Sequence, residues 1–357
     1  FDEGAVFFAH GFHKARKKYH VREFEKSFAK DFKTKYALAV SSGTAAIKIA
    51  LKSLGVSPGD EVITQSFNFV ATIEAIVECG AKPIIANIDD TLNIDLNHME
   101  TLITKKTKAV VPVHMLGFAS DIFKMQKTLK LLNIPILEDN CEAIGAKHFN
   151  KYLGSIGDAG ALSFDHGKMI TTGEGGMVLT SDKFIDKYAR EYHDHGHENN
   201  PDFPRGKDTH SIHGFNYRMT ELQGSLGKVQ LKKLPIMIED NKKRYLSLYD
   251  EIKNKFKIRP ILSGSSPTYD TLIIIEEKQE IREKIIDILK LANIGTKNLP
   301  DAMEWHCASY WDHILSSNQI NQISKSKKIL DNCVAVPIWL RKTQSDYSKL
   351  GIKLKSI

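Results

Sequence analysis

The stretch "DAGALSFDHGKMITTGEGGMVLT" (158–180) sets one lysine, Lys168, in a glycine-rich turn between two apolar runs. "DAGALSF" (158–164) reads as a buried strand and "GGMVLT" (175–180) as its return. A solvated lysine needs no such setting. Desolvation makes a lysine shed its proton more easily, and the neutral amine is a nucleophile for carbonyls. Read alone, the stretch also suits an ordinary loop lysine.

Outward from this turn, short β-rich runs alternate with helical patterns. "YALAV" (36–40) precedes the helical "SSGTAAIKIALKSLG", "DEVITQ" (60–65) precedes "FVATIEAIVECG", and "KPIIAN" (82–87) follows. "KAVVPV" (108–113) leads into a helix over 121–132, and "IPILED" (134–139) ends in acid. This alternation predicts an α/β fold with a mainly parallel sheet, buried on both faces. After residue 235 the pattern changes. "LPIMIEDNKKRYLSLYDEIKNKF" predicts a long amphipathic helix, followed by a strand in "TLIIIEE" (271–277) and a helix in "EIREKIIDILKLAN". The expected division is a large domain over 1–235 and a small α+β domain over 236–357.

Bulk numbers narrow the function. The chain has 357 residues, a net charge of +7, 42% hydrophobic and 26% charged residues. The basic runs "KARKK" (14–18) and "KKTK" (105–108) are short and carry no aromatic-basic module, so they read as solvated faces and not as a nucleic-acid site. Four cysteines without paired spacing, Cys79, Cys141, Cys307 and Cys333, predict reduced thiols and a cytoplasmic protein. No apolar run reaches membrane-spanning length and no signal peptide is visible. The chain begins at Phe1, so a short leading segment is expected to precede it.

Ligands of open α/β sheets bind beyond the carboxyl ends of the strands. Three segments fall there. "SSGTAA" (41–46) opens a helix, and its amides suit a phosphate, although capping by Ser42 or Thr44 explains it equally well. "ILEDNCEAIGA" (136–146) ends a buried strand in Glu138 and Asp139; Asp139 either holds a cation or caps the next helix. The Lys168 turn is the third. A phosphate cradle, an acid for a ring nitrogen and a Schiff-base lysine are together what pyridoxal 5'-phosphate requires.

These motifs resemble the DegT/DnrJ/EryC1/StrS sugar aminotransferases. The resemblance runs from "REFEKSFAKDFKTKYALAVSSGTAAI" through "GDEVITQSFNFVATIEAI", "VHMLG", "LEDNCEAIGA" and "SFDHGKMITTGEGG" to "FNYRMTELQGSLGKVQLKKL" (215–234). It implies the fold-type I aspartate aminotransferase architecture, pyridoxal phosphate as cofactor and a homodimer with sites at the subunit interface. It also implies residue roles. Lys168 forms the Schiff base and shuttles the proton. Asp139 pairs with the pyridinium nitrogen. Gly43, Thr44 and Ser163 contact the phosphate, Phe69 stacks on the ring, and Asn216 reaches the partner's phosphate. Arg218 either binds the donor carboxylate or braces the interface. Glu142 stands where the family often has Gln or His beside the cofactor's phenolic oxygen. A carboxylate there is repulsive, so Glu142 is expected to point elsewhere or to tune the lysine linkage.

The family also contains dehydratases in which a histidine replaces the lysine; the presence of Lys168 favours transamination. His166 reads as a loop residue or a pocket wall. In "HDHGHENNPDFPRG" (193–206), the alternation of His193, His195 and His197 would align them on one face of a strand, yet no further ligand completes a metal site. His195, His197 and Arg205 are instead expected to meet polar or anionic substrate groups. The expected reaction moves an amino group from glutamate or glutamine to an oxidised sugar, for a surface polysaccharide such as lipopolysaccharide or for a secondary metabolite. The "DHGH" loop, the "NYRMTELQ" helix and "MEWHCASYW" (303–311) resemble the branch that makes 8-amino-3,8-dideoxy-manno-octulosonate; a nucleotide-linked keto-hexose is the alternative acceptor.

Overall fold

The computed structural model describes residues 18–200 and 202–357. Apart from Lys18, the "KARKK" run lies outside them. In chain order the main elements are α1 (His20–Phe32), β1 (Tyr36–Val40), α2 (Gly43–Ser53), β2 (Glu61–Gln65), α3 (Ala71–Glu78), β3 (Lys82–Ala86), β4 (Thr107–Val111), α4 (Ile122–Leu131), β5 (Leu137–Asp139), β6 (Ala159–Ser163), β7 (Gly176–Thr180), α5 (Lys183–Tyr192), α6 (Glu221–Ile252), β8 (Thr271–Ile275), α7 (Gln279–Leu291), β9 (Cys333–Pro337) and α8 (Gln344–Lys355).

One strand run is ordered β1-β7-β6-β5 and a second β3-β2-β4. Parallel bridges Val110–Ile136 and Val113–Asp139 join them. β7 runs antiparallel to both neighbours, while β5–β6, β2–β3 and β2–β4 are parallel. Strands β1, β2, β6 and β7 are buried almost throughout, as a sheet covered on both faces requires. Helix α2 packs on one face through Ile47, Ile49 and Leu51, against Leu38, Val178 and Ala161. On the other face Phe24 and Phe28 of α1 meet Leu162, Phe164 and Met177.

The strand at 36–40, the helix after it and the two strands around Lys168 lie where the sequence pattern sets them. The long helix differs: it begins at Glu221, about four turns before the expected start. A reciprocal cap explains this. The Thr220 hydroxyl accepts from the Gln223 amide while the Gln223 side chain accepts from the Thr220 amide. Pro235 sits inside this helix and does not start it. The first half of α6 packs on α1 through Leu231 and Leu234. Its second half carries Tyr245, Leu248 and Ile252 into a separate core with Leu272, Ile274, Val334, Val336 and Tyr347. There β8 pairs antiparallel with β9 and with Lys257–Ile258.

Candidate active site

The carboxyl ends of β5 and β6 and the amino end of α2 open on one cavity of about 980 Å³. Gly43, Thr44, Phe69, Asp139, Glu142, Ser163 and Lys168 all line it. These segments, separate in sequence, meet because β5 and β6 are parallel neighbours and β7 returns beside β1, just ahead of α2.

At the amino end of α2, Ser42 is the cap: its hydroxyl accepts from the Ala45 amide at 3.1 Å. The amides that open a helix have no acceptor within it. Ser42 uses one, leaving those of Gly43 and Thr44 at the cavity wall. The turn is tight. A Cβ on Gly43 would stand 2.7 Å from Ser163 Cβ and 3.2 Å from Cys141 Sγ. A Cβ on Gly176 would stand 2.1 Å from the Ser42 carbonyl oxygen. Only glycine lets β7, Ser163 and this turn approach so closely.

Asp139 ends β5 almost fully buried. Its Oδ1 accepts from the Cys141 amide at 3.1 Å and its Oδ2 from the Thr72 hydroxyl at 2.5 Å. Among the described residues no cation pairs with it; hydroxyl and amide hold it. Its neighbour Glu138 has a different role. It accepts the amides of Gly154, Ile156 and Gly157 at 2.9, 2.6 and 2.6 Å and pairs with His114 Nε2 at 2.9 Å. Because His114 Nδ1 accepts from the Ser120 amide, Nε2 carries the proton toward Glu138. Glu138 thus ties down the 154–157 loop.

Lys168 is bonded to the Glu142 carboxylate. Burial pushes the Lys168 amine down, but Glu142 outweighs burial and holds it above the ordinary lysine range. This corrects the expectation of a lysine that desolvation alone makes neutral. Burial likewise pushes Glu142 up; the charges of Lys168 and then Lys297 outweigh it and bring the carboxyl down to about 2. Glu142 therefore points into the cavity at the lysine. Phe69 is 42% exposed, so it is no core residue. One side of its ring meets His306, centroid to centroid 5.2 Å at 44°. His166 is exposed and pairs with Asp165 at 2.8 Å.

The 193–206 loop departs from its expected form. The three histidines do not share a strand face. His193 caps the end of α5, buried, with Nδ1 against the Arg190 carbonyl at 2.5 Å, and burial drops it to about 4. His195 takes a left-handed φ of 56° in a turn, and His197 Nδ1 meets Asp208 at 3.2 Å. Among the described residues no group of three or more His, Cys, Asp or Glu could hold a metal ion. Arg205 does not reach the cavity: its two terminal nitrogens bind the fully buried Asp194 at 2.7 and 2.6 Å, and Arg218 binds the same carboxylate. Asp194 bridges to Asn216 through the backbone. His195, His197, Arg205, Asn216 and Arg218 therefore form one group away from the cavity of their own chain.

Sequence reasoning missed several residues of the cavity wall. Thr72, Asn241, Lys297, His306 and Trp339 are there. Lys297 pairs with Asp270 at 2.7 Å. Thr72 has a local signal, because it lies in the first turn of a helix that follows β2. Lys297 and Trp339 come from the carboxyl-terminal part, where no motif announces them.

The family model described as "DegT/DnrJ/EryC1/StrS aminotransferase family" matches residues 13–354. The chain is 34% identical over 278 residues to a GDP-perosamine synthase of Escherichia coli O157:H7, covering 76% of this chain and 74% of that one. A GDP-perosamine synthase of Caulobacter vibrioides is 39% identical over 215 residues, 60% of this chain and only 57% of the relative. Among solved structures, GDP-4-keto-6-deoxymannose-3-dehydratase with a trapped PLP-glutamate geminal diamine superposes with a TM-score of 0.84 at 25% identity, over 98% of this chain and 94% of that one. An aminotransferase of Psychrobacter cryohalolentis superposes with a TM-score of 0.83 at 27% identity, over 95% and 91%. The chain thus belongs to the DegT/DnrJ/EryC1/StrS aminotransferase family, enzymes of fold type I that work with pyridoxal phosphate.

Proposed function

We propose that this chain transfers an amino group from glutamate or glutamine to the carbonyl of an oxidised sugar, yielding an amino sugar for a surface polysaccharide. The observation that carries the reading is the meeting of Lys168, Asp139 and the amino end of α2 in one cavity. Bound there, the cofactor would supply an aldehyde for the lysine and an electron sink for the substrate carbon. The cradle of Gly43, Thr44 and Ser163 fits a phosphate: its helix amides lack acceptors within the helix, and its walls leave no room for a Cβ. Asp139 would hold the ring nitrogen, and Phe69 would cover the ring with its free face. Lys168 Nζ would move the proton at the substrate carbon that carries the nitrogen. Glu142 would hold that ammonium in register beside the phenolic oxygen.

A homodimer completes this reading. Leu222, Leu226, Val229 and Ile236 are exposed along one side of α6, as is Phe215 before it. In the dimer Asn216 would reach the partner's phosphate, with His195, His197 and Arg218 facing the partner's substrate; Arg205, bound on two sides by Asp194, would brace that loop. We place the domain boundary at residue 235, within α6, where its packing passes from one core to the other. The four free cysteines suit a reducing cytoplasm. No helix among the described residues is long and apolar enough to cross a membrane.

For the acceptor we favour 3-deoxy-manno-octulosonate oxidised at C8, whose carboxylate suits a cavity walled by Lys297 and Arg341. The GDP-perosamine relatives favour a second reading, a nucleotide-linked keto-hexose. The test offers both acceptors with glutamate and the loaded enzyme and identifies the product by mass spectrometry. Amination of the octulosonate is expected. Amination of only the nucleotide sugar moves the assignment to the second reading, and amination of neither removes both.

A further inference from the structure

Asp139 stands at the head of a buried row of polar side chains. Thr64 is the penultimate residue of β2, Asn68 lies in the loop beyond it, and Thr72 is in the first turn of α3; they are 0%, 1% and 1% exposed. The Thr64 hydroxyl donates to the Val111 carbonyl at 2.8 Å. Its single proton is thereby used, so its oxygen accepts from Asn68 Nδ2 at 3.3 Å. That contact orients the amide and turns Asn68 Oδ1 toward the Thr72 hydroxyl at 3.0 Å. Thr72 then has one proton and two acceptors, Asn68 Oδ1 and, at 2.5 Å, Asp139 Oδ2.

The row has two consistent settings. With Asp139 charged, Thr72 donates to it, since a carboxylate is the stronger acceptor. With Asp139 protonated, the acid proton is given to the Thr72 oxygen and the Thr72 proton turns to Asn68. Every other polar contact stays in place. The first setting supports the charged carboxylate, which also accepts the Cys141 amide.

Resting on the reading that Asp139 meets the ring nitrogen, we propose that Thr72 is a positioning residue that keeps the shared proton on the cofactor nitrogen and off Asp139. The donated hydroxyl favours the charged acid, and a charged acid favours the protonated ring. Without it the proton shifts toward Asp139, leaving a neutral acid and a weaker electron sink. Thr72 touches neither cofactor nor substrate in this scheme; it acts through Asp139.

The test compares binding of pyridoxal phosphate with its 1-deaza analogue, in which a C–H replaces the ring nitrogen, by equilibrium dialysis. Wild type should prefer the natural cofactor, because the analogue leaves a charged Asp139 unpaired. In Thr72→Val that preference should shrink by about tenfold or more, the weight of one hydrogen bond to a charged group. Thr72→Ser should restore it. An undiminished preference in Thr72→Val overturns the inference while leaving the role of Asp139 intact. Absence of any preference in wild type overturns both. Should Thr72→Val not fold, Thr72→Ala is read in the same way.

Discussion

Replacing Gly176 by alanine tests how closely the sheet and the turn that opens α2 are fitted. Gly176 opens β7 and pairs with both Val40 and Ser163. An added Cβ would stand 2.1 Å from the Ser42 carbonyl oxygen, 2.5 Å from its carbon and 2.9 Å from the Gly43 nitrogen. All three are backbone atoms, so no side chain can swing away. The turn must retreat by roughly 1 Å to regain ordinary contact. Overpacking of this kind costs about 1–3 kcal/mol, and a backbone obstacle places it near the top. At about 2–4 °C per kcal/mol, that lowers the melting temperature by roughly 6–12 °C. The retreat also carries the amides of Gly43 and Thr44 away from the phosphate they are proposed to bind. Losing one hydrogen bond to a charged group weakens cofactor binding by about ten- to a hundredfold. Calorimetry and cofactor titration read the two effects. Gly206→Ala is the control, because nothing stands within 4 Å of its added Cβ. A Gly176→Ala protein that melts and binds cofactor as wild type does would refute the fitted cradle.

Glu142→Gln removes the charge that holds Lys168 above the ordinary lysine range and leaves burial, which acts downward. The pH midpoint for cofactor capture by the unloaded protein should fall, read from the growth of visible absorbance; an unchanged midpoint contradicts the pair. Buried His193 titrates near 4 against an ordinary 6.5, because burial disfavours its charged form. The unfolded chain therefore binds the proton first. The stability His193 confers is complete above pH 6.5 and is lost as pH falls toward 4, by about 3 kcal/mol. His193→Gln should flatten that part of the stability–pH curve, measured by urea unfolding.

The strand–helix alternation was legible because each buried strand is a short apolar run and each covering helix keeps its own period. Ser42, Asp139 and Lys168 were legible for a related reason: each ends or follows a strand, where an open sheet places its ligand. The Lys168–Glu142 pair was not, since 26 residues separate the two and only the parallel pairing of β5 with β6 brings their loops together. The alternating histidines misled because α5, capped by Asp182, runs up to His193 and buries it, whereas a strand would have exposed alternate rings. The start of α6 was written in "TELQ", a capping signature that lay inside a stretch read for its resemblance. Thr72 took its meaning only from Asp139, 67 residues away.

Lys168 is the proposed attachment point of the cofactor. Borohydride reduction of the loaded protein, followed by peptide mass mapping, fixes the attachment point. One phosphopyridoxyl group on the peptide carrying Lys168, and none on a Lys168→Ala protein, is the predicted result. Label on another lysine, or none at all, would contradict it.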